Sequence, residues 1–315
     1  MIQFPDKGQI EAAYKRVKPW VHNTPILSSS SLNSMFGGAF LFKCENFQRA
    51  GAFKFRGAIN TLMQLSPEHL GQGVATHSSG NHAAALSLAA RLVGTTAHIV
   101  MPENSNPVKI AATQFYGGNI TFCAPTLLSR ESTLEEVVRQ TGAIEVHPYN
   151  NLHIIAGQAT AAFEVFEEIA DVDQIVAPVG GGGLLSGTAL SARYFSPSTR
   201  VIAAEPLGAD DAYRSFKSRQ FVPSENPQTI ADGLRTSLGS LTFPIIINYV
   251  DEVVTVTEES IVEAMRLIWE RMKIIVEPSS AVPLAAIIEA KINVAGKKTM
   301  IILSGGNVDL KHLPF

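Results

Sequence analysis

Three glycine-rich polar turns, each directly behind a short apolar run, hold the residue types best suited to chemistry. Ser78-Ser79-Gly80-Asn81-His82 follows Gly73-Val74-Ala75-Thr76, Gly180-Gly181-Gly182-Gly183 follows Ile175-Val176-Ala177-Pro178-Val179, and Ser304-Gly305-Gly306-Asn307 follows Met300-Ile301-Ile302-Leu303. In an open parallel sheet ligands bind beyond the carboxyl ends of the strands, so three such turns point to one shared site. The tetraglycine turn precedes a helical pattern at 184–195. Bare backbone amides at a helix N-terminus receive an anion closely and with a favourable dipole, and four glycines exceed what one tight turn requires. A phosphate is the expected guest. The turn does not belong to a nucleotide triphosphatase, because Gly182 and Gly187 have P-loop spacing but Thr188 stands where lysine is required. A G-x-G-x-x-G reading fails as well, since Leu185 or Ser186 falls on the third glycine.

Lys54 adds a reactive amine. It lies between Phe53 and Phe55, after the small residues Ala50-Gly51-Ala52 and before a helical pattern at 56–65. Aromatic neighbours at a strand-to-helix turn favour desolvation, which lowers an amine's pKa and suits Schiff-base chemistry. Taken alone, however, such a lysine is more often an ordinary surface residue.

The elements that position these residues alternate between strand and helix. Further strand candidates are Phe40-Leu41-Phe42, Ala97-His98-Ile99-Val100-Met101, Ile120-Thr121-Phe122, Val201-Ile202-Ala203-Ala204 and Val253-Val254-Thr255-Val256. Amphipathic stretches at 82–92, 108–116 and 154–169 separate them, and Ser132-Thr133-Leu134-Glu135 reads as a capping box opening another helix. Continuous apolar strands between helices imply an α/β protein with a parallel sheet covered on both faces. The run 73–148 reads as three βα units inserted as a smaller subdomain. Trp20, Trp269, Met265, Met272 and the apolar stripe at 261–268 are assigned to packing. His22, His69, His147, His153 and His312 have no metal-ligand spacing and receive no role.

With 46% hydrophobic and 17% charged residues the chain has material for a sizeable core, which excludes disorder. A net charge of -3 without a basic run excludes a nucleic-acid footprint. The start carries no basic segment followed by an apolar one, and the longest apolar runs are too short to span a bilayer. Cys44 and Cys123 stand alone, as in a reduced compartment. A soluble, cytoplasmic protein is the expectation.

Together the motifs resemble the fold-type II pyridoxal-phosphate (PLP) enzymes, and closely the serine racemase and serine/threonine dehydratase branch. The likeness runs from Asn23-Thr24-Pro25 to the C-terminus. It is carried by Phe42-Lys43-Cys44-Glu45, Ala52-Phe53-Lys54-Phe55-Arg56-Gly57-Ala58, the Ser78 turn through Ala83, and Gly180 to Gly183. Further carriers are Ala203-Ala204-Glu205-Pro206, Glu277-Pro278 and Leu303-Ser304-Gly305-Gly306-Asn307. The resemblance implies two open, twisted, mostly parallel sheets with helices on both faces, as in the tryptophan synthase β fold. Segments 1–49 and 149–315 would form a large PLP-binding domain and 50–148 a small one. Lys54 would bind PLP covalently and accept the Cα proton, Phe53 would flank the ring, Asn81 would bond its 3-hydroxyl and Ser304 its nitrogen. Gly180, Gly181, Gly182 and Gly183 would cradle the phosphate. Ser78, Ser79, Asn81 and His82 would receive the substrate carboxylate, with Ser79 a second acid/base on the face opposite Lys54.

Glu205, the Ala209 carbonyl and Asp211 match that branch's divalent-cation site, suited to Mg²⁺ or to Ca²⁺ or Mn²⁺. Arg130 matches an arginine on the substrate side, where a second carboxylate would sit. Arg49 stands where animal serine racemases have lysine, which leaves ATP as an effector in question. The resemblance implies dehydration of serine- or threonine-type amino acids to a 2-oxo acid and ammonia, with serine racemisation, in a homodimer. The alternatives are a threo-3-hydroxyaspartate dehydratase giving oxaloacetate and, from another class, a non-catalytic PLP-binding protein. A β-replacement enzyme such as cysteine synthase fits less well, because that branch has Thr-Ser-Gly-Asn-Thr in the serine turn. Hydride transfer is the most distant option.

Overall fold

Each apolar run becomes a strand whose successive side chains feed opposite faces of a sheet. The structure, a computed structural model, describes residues 3–315, so the first two residues of segment 1–49 lie outside the described residues. Its strands are β1 (Ile26–Ser28), β2 (Ala39–Cys44), β3 (Val74–His77), β4 (Ala97–Pro102) and β5 (Asn119–Cys123). They continue with β6 (Ile144–Glu145), β7 (Gln174–Pro178), β8 (Arg200–Pro206), β9 (Glu252–Val256) and β10 (Lys298–Leu303). A six-stranded sheet runs β1-β2-β10-β7-β8-β9 and a four-stranded one β5-β4-β3-β6. Every pairing is parallel except β1 with β2. This is the expected α/β architecture, and the eight strands read from the sequence all form.

In the larger sheet Val176, Ile202 and Ile301 face the helices Glu258–Leu267 and Pro278–Ile288. Their neighbours Ile175, Val201 and Met300 face Gly183–Phe195 and Leu152–Glu168. Alternation with a period of two thus builds two cores from one strand set, and β7 is buried along its whole length. Ile261, Ala264, Met265 and Ile268 are fully buried, with Trp269 and Met272 against them, as their packing assignment requires. The smaller sheet is covered by Lys54–Leu62 and Asn81–Val93 on one face and Leu127–Thr141 on the other.

One sequence reading is corrected. The helix expected to open at Ser132 begins at Leu127, capped by Thr126, whose hydroxyl accepts from the Ser129 amide. Thr126 is extended and stands first along the chain, so the helix is capped there. Ser132 becomes an interior position, its hydroxyl turned back on the Ser129 carbonyl.

The helix that begins with Lys54 is fixed by two features. Its Gly57 lies against Gly157 of Leu152–Glu168 so closely that a Cβ on Gly157 would stand 2.6 Å from the Gly57 Cα. A buried ionic network then locks the first turn. Arg56 Nε donates to Glu45 at 2.7 Å and Nη2 to Glu164 at 2.7 Å, while Lys43 Nζ reaches Glu164 at 2.7 Å and Thr24 donates to Glu45 at 2.5 Å. Lys43, Glu45 and Arg56 are fully buried. Two cations and two carboxylates cancel, which is what makes such burial tolerable.

Candidate active site

Two of the three turns are joined by hydrogen bonds, and the third lies against Tyr149, whose ring also stands near Lys54. The turn after β10 pairs with the segment before Lys54: Phe53 N donates to Ser304 O at 3.0 Å and Gly306 N to Gly51 O at 2.9 Å. Asn307 Nδ2 donates to Asn81 Oδ1 at 2.9 Å, joining it to the serine turn. The tetraglycine turn is reached through Tyr149, whose ring stands where a Cβ on Gly181 would lie, 2.3 Å away. Gly182 has φ +86° and caps the helix Gly183–Phe195. All four glycines are buried, and the first amides of that helix have no intrahelical acceptor.

Lys54 sits at the meeting point. Its amine donates to Pro148 O at 2.8 Å, 5.2 Å from the Phe53 ring centroid and 6.0 Å from that of Tyr149. Burial lowers its pKa to about 8, with Glu277 pulling the other way. Ser304 is buried with its hydroxyl 3.2 Å from that of Ser280. Ser78 and Ser79 lie ahead of Asn81, Ser78 half-buried and Ser79 exposed. His82 is buried and its ring nitrogen Nε2 lies 3.2 Å from Val146 O. Burial holds its pKa well below the usual value, so the ring is neutral and spent on that carbonyl. Its backbone amide is what remains for an anion.

Sequence reasoning missed the group that orients Asn81. Glu277, fully enclosed, accepts from Asn81 Nδ2 at 2.6 Å and lies 3.7 Å from Lys109 Nζ, which pairs with Asp232 at 2.5 Å. Burial raises the Glu277 carboxyl, while Lys109 opposes that rise. Glu277-Pro278 was visible as a motif, with proline at the first position of a helix, but a carboxylate 196 residues from its partner leaves no local signal.

Away from this cleft, Glu205, next to the last residue of β8, accepts from the amides of Ala212 (3.1 Å) and Tyr213 (2.8 Å). Asp211 is buried beside it and neither of its oxygens has a hydrogen-bond partner. Burial lifts both carboxyls, Asp211 to about 6, and Asp211 adds to the rise at Glu205. Among the described residues no group of three or more His, Cys, Asp or Glu side chains forms a metal cluster. Arg130 is half-buried on Leu127–Thr141, near enough to act electrostatically on His77 and Tyr149.

Residues 17–305 match the family described as pyridoxal-phosphate dependent enzyme. The chain belongs to that family. The β-hydroxyaspartate dehydratase of Paracoccus denitrificans (strain Pd 1222) is 49% identical over 314 residues, 100% of both chains. The serine racemase of Dictyostelium discoideum is 49% identical over 309 residues, covering 96% of this chain and 95% of its own. Among solved structures, maize serine racemase overlays with a TM-score of 0.96 at 45% identity, covering 98% of this chain and 95% of that one. This PLP-dependent enzyme therefore sits in the racemase and dehydratase branch, with the fold-type II architecture expected from its motifs. No helix among the described residues is long and apolar enough to cross a membrane.

The cleft fits PLP on its own chemistry. A poorly solvated amine suits the aldehyde, a buried hydroxyl the ring nitrogen, and a side-chain-free helix N-terminus the phosphate. Only a neutral amine attacks an aldehyde. With the Lys54 pKa lowered to about 8, half the amine is neutral near that pH instead of near 10.5. Uptake of PLP by the apoprotein, followed by stopped-flow absorbance, is expected to quicken with pH up to about 8 and then level off. A rate still climbing roughly tenfold per unit well above that value contradicts this placement of Lys54.

Proposed function

We propose that this enzyme dehydrates a β-hydroxy-α-amino acid, serine foremost, to a 2-oxo acid and ammonia, and racemises serine alongside. The observation that carries this reading is the Lys54 amine, desolvated and held at the Pro148 carbonyl beside the Phe53 and Tyr149 rings. Bound PLP supplies an electron sink that makes the Cα proton acidic. Ser78, Ser79 and the amides of Asn81 and His82 hold the substrate carboxylate, and Phe53 flanks the ring. Asn81, oriented by Glu277 and Asn307, presents its amide to the 3-hydroxyl. Gly180 to Gly183 hold the phosphate. Ser304 meets the ring nitrogen with a neutral hydroxyl, which suits elimination better than prolonged storage of negative charge. Lys54 takes the Cα proton and passes it to the departing β-hydroxyl, which leaves as water, and the unsaturated amino acid released hydrolyses to 2-oxo acid and ammonia. Ser79, an exposed hydroxyl, returns a proton from the other face, which gives racemisation.

Glu205, Asp211 and the Ala209 carbonyl belong to this reading as a Mg²⁺ site, open also to Ca²⁺ or Mn²⁺. Two adjoining buried carboxylates, one without any partner, match a cation with oxygen ligands. The metal supports the fold from outside the cleft. Mg²⁺ at a hundredfold excess over its Kd is expected to stabilise the EDTA-treated protein by about 2.7 kcal/mol. Identical melting temperatures with and without the ion contradict the site. The reading also includes a small domain at 50–148, which contains β3 to β6, and a cytoplasmic homodimer.

A second reading, favoured by the Paracoccus relative, is dehydration of threo-3-hydroxyaspartate to oxaloacetate and ammonia, with Arg130 on the substrate's far side. Steady-state assays of serine, threonine and hydroxyaspartate, followed by chiral analysis of the unreacted amino acid, separate the two. Failure to release ammonia from any of the three overturns both.

A further inference from the structure

The buried ammonium of Lys109 has no part in the steps above. Lys109 lies on the helix Pro107–Phe115, whose Ile110 and Ala112 pack against the core of the smaller sheet. Its side chain crosses to two carboxylates on the side of the larger sheet, Asp232 at 2.5 Å and Glu277 at 3.7 Å. Asp232 is half-buried between Ala231 and Leu234, which belong to the larger sheet's core, and Glu277 precedes the first residue of Pro278–Ile288. On the way the lysine passes directly under the serine turn. A Cβ on Gly80 would stand 3.4 Å from Lys109 Cδ and 3.6 Å from its Nζ. Burial works against the charge, but Glu277 and Asp232 hold the amine above its ordinary 10.5, so it stays an ammonium. One side chain thus touches the serine turn, the carboxylate that orients Asn81, and a group anchored in the other core.

An ionised carboxylate only accepts hydrogen bonds, whereas a protonated one also donates. Charged, Glu277 takes Asn81 by Nδ2 at 2.6 Å, and Asn81 Oδ1 is left to Asn307. Burial raises the Glu277 carboxyl to about 7 even with Lys109 opposing, and its Oε2 has no hydrogen-bond partner, so the nearby ammonium is what keeps it charged. A neutral Glu277 accepts either end of the amide, and the orientation of Asn81 is lost. Asp232 does a different job. It ties the tip of Lys109, and with it Gly80, to the side of the larger sheet. We propose that Lys109 is a positioning residue for the reaction: tethered to Asp232 it holds the serine turn in register with the cofactor, and through Glu277 it fixes which end of the Asn81 amide faces the 3-hydroxyl. The inference rests on the placements of Asn81 and of the substrate carboxylate given under the proposed function.

Alanine has the α-amine and α-carboxylate but no β-hydroxyl to lose, so its binding reads the serine turn without dehydration. The holoenzyme is titrated with it, the change in the bound cofactor's visible spectrum giving Kd. The unliganded spectrum reads Asn81, because a hydrogen bond at the 3-hydroxyl sets the balance between the cofactor's absorbance bands. Lys109→Met keeps the length of the side chain and removes the charge. It is expected to shift that balance and to weaken alanine binding by about tenfold or more, the scale of a lost charge-assisted contact. Lys109→Arg restores most of both. Asp232→Asn weakens alanine binding and keeps the wild-type spectrum, because Lys109 still faces Glu277. A wild-type spectrum in folded Lys109→Met overturns the proposal, and so does alanine binding within twofold of the wild type in either Lys109→Met or Asp232→Asn. A purely structural lysine gives that second result, with a lower melting temperature and both readings unchanged. Where Lys109→Met does not fold, the half-buried Asp232 carries the test. Variants that shift as expected, in an enzyme that releases ammonia from no hydroxy amino acid, uphold the positioning role and overturn the dehydratase reading instead.

Discussion

Lys54→Ala is expected to lower both ammonia release and serine racemisation by at least about a thousandfold, the scale of removing a positioned proton acceptor. The loss is chemical and not structural. The Lys54 amine makes one protein hydrogen bond, to the Pro148 carbonyl, and stands in a cleft that remains partly open. The variant should therefore fold with unchanged circular dichroism. It should also still bind PLP through the glycine turn, but in a form that dialysis removes. Turnover within tenfold of the wild type contradicts the assignment of Lys54. An unfolded variant is distinguished by its spectrum, and Lys54→Arg then serves as the second test, because it keeps a cation at the site but cannot form the covalent link.

The other large effect is on stability. Arg56→Met is expected to destabilise the protein by about 3–5 kcal/mol, measured by urea unfolding, because it leaves Glu45 and Glu164 buried with Lys43 alone against them. Arg56→Lys should recover only part of the loss, since an ammonium cannot span both carboxylates as the guanidinium fork does. The network carries a pH signature. Burial works against the Glu45 charge, but Arg56 beside it holds the carboxyl below its ordinary 4.5. A carboxyl lowered in the folded state stabilises above its unfolded value and loses that contribution as pH falls through the folded one. Wild-type stability should therefore drop on acidification below about pH 4.5, and the drop should be smaller in Arg56→Met. A change under about 1 kcal/mol at neutral pH contradicts the network's role. Since Arg56 lies two residues beyond Lys54, its loss should also reduce activity in whatever fraction stays folded.

The sequence made the strands legible where apolar runs were long enough to be buried on both faces. Val176 and Ile301, at the centre of the larger sheet, belong to such runs. It did not reveal β1 or β6, because three and two residues carry no periodicity, and both owe their pairing to neighbours already in place. The turns were legible for the reason that makes them chemical: glycine, serine and asparagine between strand and helix have few other uses. The residues that tune the site were not. Glu277 reaches Asn81, and Lys43 reaches Glu164, across separations of 196 and 121 residues, and a buried ion pair looks like any two charges in a sequence. The early start of the helix at Leu127 went unread because its cap, Thr126, lies ahead of the Ser132 motif.

Borohydride reduction of the holoenzyme, followed by peptide mass mapping, tests the central claim most directly. A single phosphopyridoxyl adduct on Lys54 is the predicted result, with the buried Lys43 and Lys109 unmodified in the same digest. An adduct on another lysine, or none on a protein that has turned yellow with PLP, contradicts the account.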